Sequence, residues 1–127
     1  MEVCGGRGRL AAMILQMDIQ KPGPGVVVAR FTGALTLGTS LHAVDAQLQK
    51  MIREGSAKVV LDLAEVPYMD SAGLGVLVQA SGIARQQGGD LRLCGVSQRV
   101  AELITMTRTD ALLPMDTDVD TSLAALA

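Results

Sequence analysis

Lys58-Val59-Val60-Leu61-Asp62-Leu63 is a nearly unbroken apolar run with a single acid inside it. A strand with one wet face alternates apolar and polar residues. A continuous run of this length is what a strand needs when crossover helices cover both of its faces. The run therefore predicts a central parallel strand, because edge strands usually carry charge or alternate. Parallel neighbours are expected near residues 26–32 and 91–96.

On either side of this run the apolar spacing changes to helical period. Upstream, Leu41, Val44, Leu48, Met51 and Ile52 fall on one stripe, with Asp45, Gln49, Lys50 and Arg53 opposite. A helix over residues 40–54 follows, capped by Thr39 or Ser40 and stopped by Gly55. Downstream, Pro67 closes the strand region and Asp70-Ser71 opens a second helix that runs to about residue 87. Its inner face is Leu74, Leu77, Val78, Ser81 and Ala84, and Gly88-Gly89 ends it.

Farther out, residues 26–32 are β-branched and read as a strand. They form an antiparallel hairpin with a strand at residues 13–20 across the turn Lys21-Pro22-Gly23-Pro24-Gly25. Residues 91–96 are another strand. Ser97 caps a third helix carrying Val100, Leu103, Ile104 and Thr107 on one side. A short strand at residues 111–115 and a final helix over residues 119–126, capped by Thr117 or Asp118, complete the chain. The order is β-β-α-β-α-β-α-β-α. It predicts an α/β fold: a mostly parallel open sheet of about five strands with about four helices. Sequential strand order places those helices mainly on one face. Residues 1–12 are glycine-rich and are expected to form a flexible tail, leaving residues 13–127 as one domain. Met13 and Met17 are alternative starts.

Composition narrows the function. The 127 residues are 49% hydrophobic with a formal net charge of -2, too acidic for a phosphate-backbone binder. Phe31 and Tyr68 are the only aromatics, so no base-stacking platform exists and direct nucleic-acid contact is not expected. Cys4 and Cys94 form no CxxC or Cys/His cluster, so neither a disulfide framework nor a metal site is expected. No stretch approaches the ~18 apolar residues of a membrane span. A cytoplasmic protein with no membrane insertion is the expectation.

The chemistry concentrates in residues 66–76, Val-Pro-Tyr-Met-Asp-Ser-Ala-Gly-Leu-Gly-Val. A side-chain oxygen of Asp70 or Ser71 can cap the helix. Gly73 and Gly75 each cost roughly 1 kcal/mol of helix stability relative to Ala. Such a cost is worth carrying only where a neighbouring strand or a partner approaches the backbone closely. Two readings stand side by side: a capped helix packed on a sheet, or a helix N-terminus that shows a hydroxyl to another protein. The positive end of the helix dipole tolerates a phosphate on that hydroxyl.

Residues 25–126 resemble a STAS domain of the bacterial anti-sigma factor antagonist family. The matching pieces are Phe31-Thr-Gly-Ala-Leu35, Val59-Val-Leu-Asp-Leu63, Tyr68-Met-Asp-Ser-Ala-Gly-Leu-Gly75 and Gly88-Gly-Asp-Leu-Arg-Leu93. The resemblance implies a phosphorylation site at Ser71 and a partner-binding surface of Thr36, Asp70, Ser71, Ala72, Gly73, Leu74 and Gly75. It implies an anti-sigma factor serine kinase and a cognate serine phosphatase as partners. The unphosphorylated chain would bind the anti-sigma factor and release a sigma factor, and phosphorylation would reverse this. Two departures stand out. Gly33-Ala34-Leu35-Thr36 replaces an acidic Gly-Glu-Leu-Asp, and Thr107-Arg108-Thr109 replaces Ser/Thr-Gly-Leu, which is expected to remodel that edge.

Other readings are weaker. A serine-hydrolase elbow needs a glycine two residues before the serine, where Met69 stands. His42 falls on the polar side of the first helix and reads as solvated. Asp116-Thr-Asp-Val-Asp120 imitates the start of a calcium loop but lacks its glycine and glutamate, having Thr121 and Ala127 instead. No catalytic residue, cofactor or metal is assigned, and the chain reads as a binding module, not an enzyme. The alternative within the same resemblance is a subunit of a larger assembly: a stressosome scaffold, or the cytoplasmic component of a lipid-transporting ABC system. Ser71 would there be a docking or helix-capping residue.

Overall fold

The computed structural model describes residues 14–127. The expected tail, Met13 and Cys4 lie outside the described residues. The elements are β1 (Gln16–Gly23), β2 (Val26–Thr32), α1 (Thr39–Arg53), β3 (Lys58–Glu65), α2 (Ser71–Gln86), β4 (Asp90–Cys94), α3 (Gln98–Met106), β5 (Met115–Asp116) and α4 (Val119–Leu126). They build one sheet in the order β1-β2-β3-β4-β5. β1 runs antiparallel to β2, and the remaining pairs are parallel.

The apolar run sits where its composition demands. β3 is the middle strand, pairing Val59 with Val27 and Leu91, and its residues Val59 to Leu63 are all buried. Alternate residues face opposite layers. Val27, Ala29, Phe31, Val59, Leu61, Leu63, Leu91 and Leu93 form the main core with Leu41, Leu48 and Ile52 of α1, Leu74 and Leu77 of α2, and Val100 and Ile104 of α3. Val28, Val60 and Cys94 face the other way, where Val119, Leu123 and Leu126 of α4 cover them. Three helices thus share one face, as expected, and α4 alone closes the other.

The single acid in the apolar run belongs to this second face. Asp62 accepts from the Arg30 Nε at 3.1 Å and from the Ala64 backbone N–H at 3.0 Å, which compensates its burial. One strand further, Arg92 grips Asp116 through two nitrogens at 2.7 and 3.1 Å, and the Ser122 hydroxyl donates to the same carboxylate at 2.7 Å. Burial pushes the Cys94 thiol up to about 11, so it stays protonated and inert.

Several boundaries differ from expectation. β1 begins and ends three residues later than the sequence reading. Pro22 and Gly23 belong to the strand, and the turn shrinks to Pro24-Gly25, with Gly25 at φ 74°. An edge strand tolerates the missing proline N–H, and a register shift between Gln20 and Gly23 absorbs the irregularity. Neither Thr39 nor Ser40 caps α1: the N-cap is Gly38, with no side-chain cap bond. The last strand is only Met115–Asp116. Residues 111–114 are held instead by turns, with the Leu112 and Leu113 N–H groups donating to the Thr109 carbonyl. Asp118, one of the two expected caps, accepts from Thr121 N–H at 2.8 Å and starts α4.

The departure at Thr107-Arg108-Thr109 keeps a glycine-like backbone. Arg108 lies at φ 59°; its N–H donates to the Thr105 carbonyl and that of Thr109 to the Ile104 carbonyl, both at 3.1 Å. This is the paired ending that usually takes glycine at the left-handed position. An L-residue there is strained by roughly 1–2 kcal/mol. Arg108→Gly is therefore expected to raise stability by about 1 kcal/mol, read as a higher urea midpoint at an unchanged slope. An unchanged midpoint would show that the exposed arginine makes compensating contacts.

Candidate functional site

The 66–76 segment lies between the end of β3 and the start of α2. The β2–α1 connection rests against it. Leu35 pairs with Met69 as an isolated parallel bridge. Leu35 N–H donates to the Tyr68 carbonyl at 3.2 Å, and Asp70 N–H donates to the Leu35 carbonyl at 3.1 Å. The loop after β2 is thereby stitched to the residues that lead into the helix.

Asp70, not Ser71, is the N-cap. One carboxylate oxygen accepts from Gly73 N–H at 2.9 Å, and the other accepts from Leu37 N–H at 3.0 Å. One side chain thus ends the helix and ties down the neighbouring loop. The Leu37 N–H, followed by that of Gly73, holds the Asp70 carboxyl below the ordinary aspartate value. The group binds protons less readily folded than unfolded. Its contribution is complete above about pH 4 and is lost as pH falls through the folded value. Asp116, held down first by Arg92, and Asp118, held down first by Thr121 N–H, have the same sign. Asp70→Asn keeps one acceptor oxygen and turns an NH2 donor towards the other N–H, so it loses one of the two bonds and is expected to cost roughly 1–3 kcal/mol near pH 7. Urea unfolding between about pH 5 and pH 2 should show a shallower loss of stability in this variant than in the parent.

With the cap assigned to Asp70, Ser71 becomes the first helical residue. It is exposed, and its hydroxyl makes no hydrogen bond among the described residues. The two glycines separate sharply. A Cβ on Gly73 would stand 2.0 Å from the Leu35 carbonyl oxygen and 2.8 Å from its carbon. Gly73 is there so that the β2–α1 loop can lie on the helix backbone. A Cβ on Gly75 would meet nothing within 4 Å, and Gly75 is exposed. The chain's own packing gives no reason for it.

Ser71 and Gly75 are four apart and share a helix face. Ala72 and Thr36 are half-buried beside them, while Gly73 and Leu74 are buried and serve the interior. Two neighbours had no distinctive signal in sequence. Leu37 is 71% exposed although apolar, and Tyr68 is 42% exposed. The guanidinium carbon of Arg99 lies 5.1 Å from the Tyr68 ring centroid. His42 is exposed, as its periodicity suggested. Among the described residues, no cluster of three or more His, Cys, Asp or Glu is placed to hold a metal ion.

The STAS domain family matches residues 17–122. Over 104 residues the chain is 32% identical to the anti-sigma F factor antagonist of Paenibacillus polymyxa, covering 81% of this chain and 87% of that one. This chain belongs to the STAS-domain, anti-sigma factor antagonist family. Solved structures agree on the fold. The anti-sigma factor antagonist SpoIIAA in its unphosphorylated form aligns with a TM-score of 0.71 at 17% identity, covering 81% of this chain and 90% of that one. The Bacillus SpoIIAA in the phosphorylated form aligns with a TM-score of 0.71 at 14% identity, covering 88% and 100%. Among the described residues of this STAS chain, no helix is long and apolar enough to cross a membrane.

Proposed function

We propose that this chain is an anti-sigma factor antagonist that works by partner switching in the cytoplasm, as a binding module and not as an enzyme. Unphosphorylated, it binds an anti-sigma factor that is also a serine kinase, and so frees a sigma factor. The kinase moves the terminal phosphoryl group of ATP to the Ser71 oxygen, leaving ADP, and the complex dissociates. A serine phosphatase resets the chain by hydrolysis.

The observation that carries this reading is the division of labour at the start of α2. Asp70 does all the capping, which leaves the Ser71 hydroxyl exposed on a helix end whose backbone is fixed. A kinase needs such an oxygen, and the helix N-terminus accepts the added charge. The phosphate brings roughly -1.5 to -2 charges beside a carboxylate that is itself ionised at neutral pH. In an interface fitted to a neutral hydroxyl, that adds like-charge repulsion and a desolvation cost. The relatives named as antagonists, and the neighbour solved in both phosphorylation states, support the assignment.

The test is phosphate-affinity electrophoresis of the protein recovered from its own cells, with Ser71→Ala as control. A retarded band that responds to growth conditions and is absent from the variant is the expected result. A single unretarded band under all conditions, with the chain recovered in a stable multi-subunit complex, would favour the assembly-subunit reading.

A further inference from the structure

The loop before α1 carries an apolar residue that the fold does not use. Leu37 is 71% exposed and belongs to neither hydrophobic cluster. A lone exposed leucine is ordinary on a protein surface. What sets Leu37 apart is how firmly its backbone is held. Leu35 and Met69 form a parallel bridge, with Leu35 N–H donating to the Tyr68 carbonyl and Asp70 N–H donating to the Leu35 carbonyl. The next rung of such a ladder would run from Leu37 N–H to the Asp70 carbonyl. Leu74 N–H already takes that carbonyl, because α2 starts there. An oxygen of the Asp70 carboxylate completes the rung instead, at 3.0 Å.

One hydrogen bond and one residue thus separate the Leu37 backbone from Ser71. The two segments that meet here are free of charge. From Gly33 to Leu41, and again from Ser71 to Ala84, the chain has no Asp, Glu, Lys or Arg. Protein interfaces are depleted of charge at their centre. A partner whose active site receives the Ser71 oxygen covers a patch of ~800 Å², roughly 30 Å across. An exposed side chain this close to Ser71 falls inside such a patch. Because its backbone is already fixed, docking it costs little ordering entropy.

We infer that Leu37 is the apolar anchor by which the unphosphorylated chain seats in an apolar pocket of its anti-sigma factor kinase, and that Asp70 is the positioning residue that presents it. The inference rests on the proposed function and names a contact which that function does not require. Asp70 acts here through the Leu37 backbone, not by touching the partner.

The test is calorimetric titration of the full chain with the purified anti-sigma factor kinase of the same cells, without ATP, so that Ser71 stays unmodified. Leu37→Ala should weaken binding about 10- to 100-fold, the weight of one leucine buried on association. Its melting temperature should stay within about 2 °C of the parent, since an exposed side chain carries little stability. Leu37→Met, which restores the apolar volume, should recover most of the affinity. Asp70→Ser keeps an oxygen for Gly73 N–H, but its shorter side chain cannot span to Leu37 N–H as well, so it should weaken binding about 3-fold or more. In the Leu37→Ala background that further loss should vanish, because nothing is left to position. Parental affinity in Leu37→Ala would overturn the inference and leave the proposed function standing. Additive losses in the double variant would overturn the role given to Asp70. Failure of the parent itself to bind the kinase would remove the proposed function, and this inference with it.

Discussion

Gly73→Ala should destabilise this protein severely, whereas Gly75→Ala, two residues on in the same helix, should leave it slightly more stable. The added methyl at position 73 would stand 2.0 Å from the Leu35 carbonyl oxygen, and that oxygen is the acceptor for Asp70 N–H. Relief means moving backbone, not rotating a side chain. Parting the loop from the helix also strains the bond from Leu37 N–H to the Asp70 carboxylate. A loss of about 3 kcal/mol or more is expected, a large share of the roughly 5–15 kcal/mol that holds a domain together. The melting temperature should fall on the order of 10 °C or more. At position 75 there is open space, and Ala is better than Gly in a helix by up to about 1 kcal/mol. Thermal unfolding of both variants side by side is the measurement. Equal destabilisation would mean that Gly75 also serves the fold. If Gly75→Ala is stable yet loses partner affinity, the missing side chain is a space kept for the partner.

The second large effect concerns the exposed hydroxyl. Phosphorylation of Ser71 should weaken binding to the anti-sigma partner by about 5- to 150-fold, the range of a coupling of about 1–3 kcal/mol. Ser71→Ala should fold as well as the parent, since Asp70 supplies the cap. It should bind the partner with parental affinity and keep that affinity when ATP is added. Ser71→Asp should bind more weakly, although one carboxylate imitates a phosphate poorly. Affinity measured with and without ATP, for the parent and Ser71→Ala, decides the matter. If ATP weakens both equally, the switch lies elsewhere and Ser71 is a surface residue of a capped helix.

How far the residues announced this structure varies along the chain. β3 was legible because a run buried on both faces leaves no polar alternation, and the stripe of α1 was legible because its apolar face is wide. The start of α2 was legible as a capped helix N-terminus, but the two glycines looked alike. Only the path of the β2–α1 loop, a tertiary fact, makes one indispensable and leaves the other unexplained. The cap of α1 was misread because Thr39 and Ser40 are good caps in isolation, whereas the loop geometry puts Gly38 at the boundary. The face chosen by α4 was beyond the reach of sequence. Val119, Leu123 and Leu126 give the helix an apolar side, but the side of the sheet it meets is set by the exit of a two-residue strand. The Arg99–Tyr68 contact was invisible for the same reason, since two exposed side chains from separate elements leave no periodic trace.

The lone helix on the back of the sheet makes the molecule mechanically two-sided. α4 is eight residues long, follows a strand of two, and is moored by the grip of Arg92 and Ser122 on Asp116. None of those moorings touches the β2–α1 loop or the first turn of α2. Such a C-terminal flap, covering only the small Val28, Val60 and Cys94 cluster, is expected to open more readily than the three-helix side, in the way that local unfolding units detach from a domain. In hydrogen exchange, the amides of α4 should form a fast cooperative group, separate from the slow amides of β3. Cargo or a further domain attached after Ala127 would hang from the flap and leave the Ser71 face unencumbered.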